Sequence, residues 1–398
     1  MQNDIVARVM KELCAETDKI LAGAGRVVIK IGSAVLTGKE GLDLRVVSRL
    51  VDQISLLHDR GMDIILVSSG AVAAGCKVLS SCKSKSDLVF KQATSAVGQS
   101  RLMHAYDEIF GRYGKITAQI LLTRNDLKSR ERFINARNTM LQLLEWRAIP
   151  IINENDTVAV QELRFGDNDA LGVMILNLVE ADLFINLTSS DGVYRENPRE
   201  NPDAEKISCI EDIASEPLEK MCQGKTDQGS GGMYSKLLSA RKAAQLGVPT
   251  LILSGRDRFS LEKVFDGHNL GTWILPRDKS VSSRKFWFAY NQEPAGEVVV
   301  DRGAAFAVFE KGKSLLPAGI VEVRGSFGKG ALVKIVEQES KRRPAVGLTN
   351  YKASDLRQIM GKKSGEIEGV LGQCLYPEAI HRDNMLLDAV LKEGERYF

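Results

Sequence analysis

Two lysines far apart in the chain, Lys30 and Lys236, stand in contexts where an ammonium group could meet an anion. Lys30 lies in "RVVIKIGSAVLTG", an apolar run that carries a lysine, passes through Gly32-Ser33, and turns apolar again. It is open to two readings. An edge strand can keep a lysine head in water; the carboxyl end of a buried parallel strand can instead present a fixed charge to a ligand. Taken alone, the stretch leans slightly to the edge strand. Lys236 follows "GSGGMYSK", where Gly229, Gly231 and Gly232 precede a helical pattern beginning near Met233. Glycines let several backbone N–H groups converge on one anion, and a helix amino end adds partial positive charge. Neither stretch is the common G-x-x-x-x-G-K-[ST] phosphate cradle, and a glycine-rich loop by itself is more often a flexible loop with a surface lysine. A second lysine at a strand end shifts that balance.

Asp and Asn gather twice, in "INENDTVA" after an apolar run and in "FGDNDALG" before a helical one. Capping and turn formation explain each cluster alone. Asp169, in the second, can cap its helix or hold a lysine in place. Two such clusters beside two lysines and a glycine cradle suit an anionic donor and a small polar acceptor. The six cysteines form no C-x-x-C pair and fit reduced thiols, and the four histidines lack metal-ligand spacing.

These residues need elements that converge. From Arg26 to about Trp273, apolar runs such as "VVIKI", "DIILVSSG", "ITAQILLT", "IPIINEND", "ADLFINLTSSDG" and "PTLILSG" alternate with helical patterns. The rhythm predicts a three-layer α/β/α sandwich around a mainly parallel sheet. Ligands then sit beyond the strand carboxyl ends, at Lys30–Ser33, Ser68–Ala71, Asn153–Asp156, Thr188–Gly192 and Ser254–Arg256. After Pro276 the strands shorten and the turns become glycine-rich, as in a small β-barrel. The expected division is a helical extension at 1–25, whose Ile5, Val6, Val9, Met10 and Leu13 follow helical spacing. A main domain at 26–275, a linker at 276–295, the β-rich module at 296–372 and a tail at 373–398 follow. The 398 residues carry a net charge of only +3, too little to argue for nucleic acid by itself. No apolar stretch is long enough to span a membrane, the amino-terminal segment lacks a signal-peptide core, and a cytoplasmic location is expected.

"VVIKIGSAVLT", "VSSGAVAAG", "AVGQSRLM", "INENDTVA", "FGDNDALG" and "GSGGMYSK" occur in the order seen in the glutamate 5-kinases of the amino acid kinase family. The module after Pro276 resembles a PUA domain. The resemblance implies transfer of phosphate from ATP, with Mg²⁺, to the side-chain carboxylate of L-glutamate, the first step of proline synthesis. It implies that Lys30 binds the ATP phosphates, and that Ser69, Asp156 and Asn168 contact glutamate. Asp169 would organise Lys30 and Lys236 as the catalytic set. Ser230, Gly231, Gly232, Met233, Tyr234, Ser235 and Lys236 would bind ATP together with Thr188 and Ser189. The family usually has Asp where this chain has Ser189, and Asp191 could partly replace that carboxylate. Backbone N–H groups at Gly32 and Gly70 would assist. No protein metal ligand is expected. The resemblance also raises homo-oligomers and proline as a feedback inhibitor. Three other readings stand beside it: a family member acting on N-acetylglutamate, aspartate, carbamate or UMP, an RNA-binding protein working through the barrel, and a non-catalytic regulatory subunit. "ESKRRPAVG" holds only three adjacent basic residues and no interleaved aromatics, so single-strand binding finds no support there.

Overall fold

The computed structural model describes residues 15–38, 41–79, 88–159, 168–198, 200–216, 218, 232–276, 281–291, 293–338, 345–374 and 376–387. The chain divides into two compact units, Met1–Ser280 with Arg396–Phe398, and Val281–Glu395.

The first unit is built on eight strands: β1 (Arg26–Ile31), β2 (Asp63–Ser68), β3 (Thr117–Leu122), β4 (Ile149–Glu154), β5 (Leu183–Thr188), β6 (Cys209–Ile210), β7 (Thr250–Ser254) and β8 (Thr272–Ile274). Their order across the sheet is β6–β8–β7–β5–β1–β2–β4–β3. All pairs are parallel except β7 with β8. Helices α1 (Leu44–Asp59), α2 (Ala71–Leu79), α3 (Leu88–Gly111), α4 (Arg130–Glu145), α5 (Asn168–Val179), α6 (Met233–Gln245) and α7 (Ser260–Phe265) connect them. Because side chains alternate along a strand, each strand feeds both faces. Val27, Ile29, Ile31, Ile64, Leu66, Ile185 and Leu187 form one core with Val47, Leu50, Val51 and Ile54 of α1. Asp43 starts α1, its carboxylate accepting from the N–H groups of Arg45 and Val46. The alternate positions, Val28, Lys30, Phe184, Asn186 and Thr188, belong to the other face. There α5 lies close: a Cβ on Gly172 would meet the Phe184 ring at 3.0 Å and the Lys30 Cβ at 3.9 Å.

The helices α2 and α3 escape a periodicity reading because their mutual contact uses small residues rather than an apolar stripe. A Cβ on Gly98 would stand 1.7 Å from the Ala71 carbonyl oxygen, and one on Gly75 would stand 1.9 Å from that of Thr94. The amino-terminal spacing at Ile5–Leu13 lies outside the described residues. Residues 15–23 are helical, and Ile20 and Leu21 pack against the core. Cys76 is disulfide-bonded, which corrects the expectation of a reduced thiol at that residue, while Cys209 and Cys374 are free. Pairing depends on through-space approach, which spacing along the chain does not reveal.

In the second unit, α8 (Ser283–Asn291) occupies much of the segment read as a linker. It is helical because Phe286, Phe288, Ala289 and Tyr290 find a core to enter. Five strands follow, β9 (Gly296–Val300), β10 (Ile320–Gly325), β11 (Leu332–Glu337), β12 (Ala345–Leu348) and β13 (Met385–Leu386), with α9 (Ala353–Ile359) between the last two. The sheet order is β10–β9–β11–β12–β13, with β9 and β11 parallel and the other pairs antiparallel. Val298, Val300, Val333, Ile335, Leu356 and Ile359 share its core. Most of "ESKRRPAVG" and the end of the tail lie outside the described residues.

Candidate active site

The edge-strand reading of Lys30 is wrong. Strand β1 pairs on both sides, with β2 and β5, and Lys30 is only 3% exposed. Its ammonium group contacts Asp169 Oδ1, and Lys236 Nζ donates to Asp169 Oδ2 at 3.1 Å. Asp169 is fully buried and Lys236 is 5% exposed. Each comes from a different element: Lys30 near the end of β1, Asp169 in the first turn of α5, Lys236 one turn into α6. Burial opposes ionisation of Asp169, but Lys30 and then Lys236, with hydrogen bonds from Lys30 and Asn186, hold its carboxyl well below the usual carboxylate range. Among the described residues two cations meet one anion there, out of water. Buried ion pairs are weak stabilisers because desolvation opposes them. Such a cluster at a strand end marks a site for an anion.

Residues expected to contact the acceptor gather one strand over. Asn168 Nδ2 lies 2.9 Å from the Ser68 carbonyl oxygen, Ser69 Oγ and Asn153 Oδ1. Asn153 Nδ2 in turn donates to Gln99 Oε1 at 2.9 Å. The Ser69 N–H donates to the Ile31 carbonyl oxygen at 3.1 Å, tying the end of β2 to that of β1. Gly70 turns the chain into α2 at φ +109°, a conformation that disfavours a side chain. Asp156 accepts from Ser95 Oγ at 2.7 Å. A cavity of 390 Å³ is lined by Ser95, Gln99, Glu154, Asn155, Asp156 and others. Ser95 and Gln99 are one helical turn apart on α3, so this helix serves both Asp156 and the Asn153–Asn168 pair.

In the stretch expected to meet ATP, Gly232 caps α6 without a side chain, and Met233, Tyr234 and Ser235 form its first turn. Ser230 and Gly231 lie outside the described residues. Thr188 is buried at the end of β5 and Ser189 beside it is exposed. Three expectations change. The Gly32 N–H donates to the Leu187 carbonyl oxygen at 3.2 Å, so it serves the sheet rather than a ligand. Asp191 accepts from Tyr194 Oη at 2.7 Å and pairs with Lys206 at 3.2 Å, which leaves it a poor substitute for a carboxylate at Ser189. Arg256, another strand-end residue, donates to the carbonyls of Ala34 and Thr37 and braces the turn after β1. Sequence reasoning passed over Gln99, Asn153 and Asn186 as individual site residues. The signal for Asn186 was present, an amide in the middle of the otherwise apolar "LFINL".

A buried carboxylate between two lysines, at the strand ends of a mainly parallel sheet and beside a helix amino end, defines a protein that handles polyanions. The chain belongs to the amino acid kinase family, whose model matches residues 25–254, and it carries a PUA domain at 296–371. It is 62% identical over 371 residues to a glutamate 5-kinase from Maridesulfovibrio salexigens, covering 93% of this chain and 98% of the relative. It is 60% identical over 376 residues to a glutamate 5-kinase from Oleidesulfovibrio alaskensis, covering 94% and 99%. One from Syntrophus aciditrophicus is 45% identical over 380 residues, covering 96% and 98%. Among the described residues no helix is long and apolar enough to cross a membrane.

Proposed function

We propose that this chain transfers the terminal phosphoryl group of ATP to the side-chain carboxylate of L-glutamate, giving L-glutamyl 5-phosphate and ADP. The observation that carries the reading is Asp169 bridging Lys30 and Lys236; near full-length similarity to glutamate 5-kinases chooses the acceptor. No general base is needed. A glutamate side chain with a pKa of about 4.3 is already the nucleophile at neutral pH. The obstacle is repulsion between a carboxylate and a triphosphate. Lys30 and Lys236 offset that charge as it spreads in the transition state, and Asp169 aims both. The amino end of α6, with Gly232–Ser235, Ser230 and Gly231, holds the phosphates, and Thr188 and Ser189 border the rest of the nucleotide. Ser69 and Asn168 orient one end of glutamate, and the Asp156 carboxylate suits its ammonium group.

Among the described residues no group of three or more His, Cys, Asp or Glu side chains could hold a metal ion. Both Asp169 oxygens already face lysines. Mg²⁺ would arrive with ATP and help neutralise the charge on its phosphates.

We take residues 26–275 as the kinase domain and 296–372 as the PUA domain, in a cytoplasmic homo-oligomer open to proline feedback. The test is ATP- and Mg²⁺-dependent ADP release across glutamate, N-acetylglutamate, aspartate, carbamate and UMP, with γ-glutamyl hydroxamate formation from glutamate measured with and without proline. Glutamate is the expected acceptor. Lys30→Ala or Lys236→Ala should lower kcat roughly a hundredfold or more. Wild-type turnover in either variant rejects the site, and a preference for another acceptor rejects the substrate.

A further inference from the structure

Asn186 sits in β5, directly beside Lys30 in the parallel register of β1 and β5. It is completely buried. Its Nδ2 donates to Asp169 Oδ1 at 2.8 Å, the oxygen that Lys30 also contacts. Its Oδ1 has no hydrogen-bond partner among the described residues. A buried amide with an unmatched carbonyl is unfavourable. On its own face of the sheet its neighbours are Phe184 and Thr188 along β5 and Ile252 on β7. An apolar side chain at this position would leave no unmatched carbonyl, but it would also take a hydrogen bond away from the ionised Asp169. What the amide adds is a neutral donor on Asp169.

We propose that Asn186 is a positioning residue for phosphoryl transfer, orienting the Asp169 carboxylate so that one oxygen serves Lys30 and the other Lys236. A carboxylate held by two flexible lysines alone can rotate about its Cβ–Cγ bond and exchange its oxygens between them. A third donor, mounted on a strand interior, breaks that symmetry. A neutral donor does so without cancelling the positive charge that the triphosphate needs. Among the described residues the charged groups facing Asn186 are Asp169 from α5, Lys30 from β1 and Lys236 from α6 beyond Asp169.

The inference rests on Lys30, Asp169 and Lys236 being the catalytic set, so Lys30→Ala is measured alongside. The experiment compares kcat, the two KM values and thermal melting for wild type, Asn186→Leu and Asn186→Asp from pH 6 to 9. Asn186→Leu should keep both KM values within about twofold and lose roughly ten- to a hundredfold in kcat, as for a lost bond to a charged group, with the melt showing that it is folded. In Asn186→Asp, a nearly isosteric change, the new carboxyl when ionised repels Asp169 and neutralises the lysines. When protonated it donates to Asp169 Oδ1 as the amide did. Its deficit relative to wild type should therefore narrow as the pH falls. Should Asn186→Leu fail to fold, this pH response alone decides. Asn186→Leu within twofold of wild type in kcat, a loss confined to KM, or a pH-independent deficit in Asn186→Asp overturns the inference. If Lys30→Ala also turns over normally, the site assignment has failed instead.

Discussion

Replacing Asp169 with Asn removes one charge and almost no volume, and its consequences divide cleanly between binding and turnover. At 3.1 Å the attraction between Lys236 and Asp169 is about 5 kcal/mol for an effective dielectric constant of about 20. Lys30 is held by the same carboxylate. Asp169→Asn takes a carboxylate away from two buried ammonium groups, at a cost of about 3–5 kcal/mol in stability. Misaimed lysines should lower kcat by roughly 10²- to 10³-fold. The same two charges, freed from an internal anion, should hold the triphosphate at least as well as before, so KM for ATP should not rise. A non-hydrolysable ATP analogue with Mg²⁺ should therefore raise the melting temperature more in the variant than in wild type. The folded-state pKa of Asp169 is depressed below the ordinary 3.8, so its contribution to stability is present above that value and is lost as the pH falls through the folded value. The stability gap between the two proteins should be flat across neutral pH and close only on acidification below about pH 4. The assays are coupled ADP release and thermal melts with and without the analogue. Turnover within about tenfold of wild type, together with unchanged nucleotide stabilisation, refutes the reasoning.

Asp156→Ala should raise KM for glutamate roughly ten- to a hundredfold, as for loss of a charged hydrogen-bond partner, with KM for ATP little changed; an unchanged KM for glutamate rejects its role. Gly98→Ala drives a methyl group into the Ala71 carbonyl oxygen and should cost about 3 kcal/mol in urea denaturation, and an unmoved unfolding midpoint would contradict the close crossing of α2 and α3. Burial, with Glu211 and Glu16 nearby, pushes the Cys209 thiol up to about 12, whereas Cys374 is exposed. Iodoacetamide at pH 8 followed by peptide mass spectrometry should label Cys374 well before Cys209, and equal rates would contradict the burial of Cys209.

The elements that carry the site were legible because their cues are local. "DIILVSSG" and "PTLILSG" announce strands buried on both faces, and "NDALGVMILNLVE" and "SKLLSARKAAQLG" announce helices; each lies where its run predicts. The helices α2 and α3 were not read out, since their contact works through Gly75 and Gly98, and small residues leave no periodic apolar signature. Helix α8 was taken for a linker because its run is short and follows Pro276, and the sequence does not reveal that Phe286 and Phe288 are buried.

By itself the sequence determined the residue types: two lysines, an acidic residue at the start of a helix, a glycine-rich approach to another helix, and a polar cluster after each of several apolar runs. Spacing along the chain is enough for these because secondary structure and capping act over a few residues. Only the tertiary structure decided which residues meet. It moved Lys30 from a possible wet edge to the sheet interior, set Asn186 beside it by strand register, and brought Asp169 between Lys30 and Lys236. Those choices depend on sheet order and helix packing, which join residues more than a hundred positions apart and have no counterpart in local pattern.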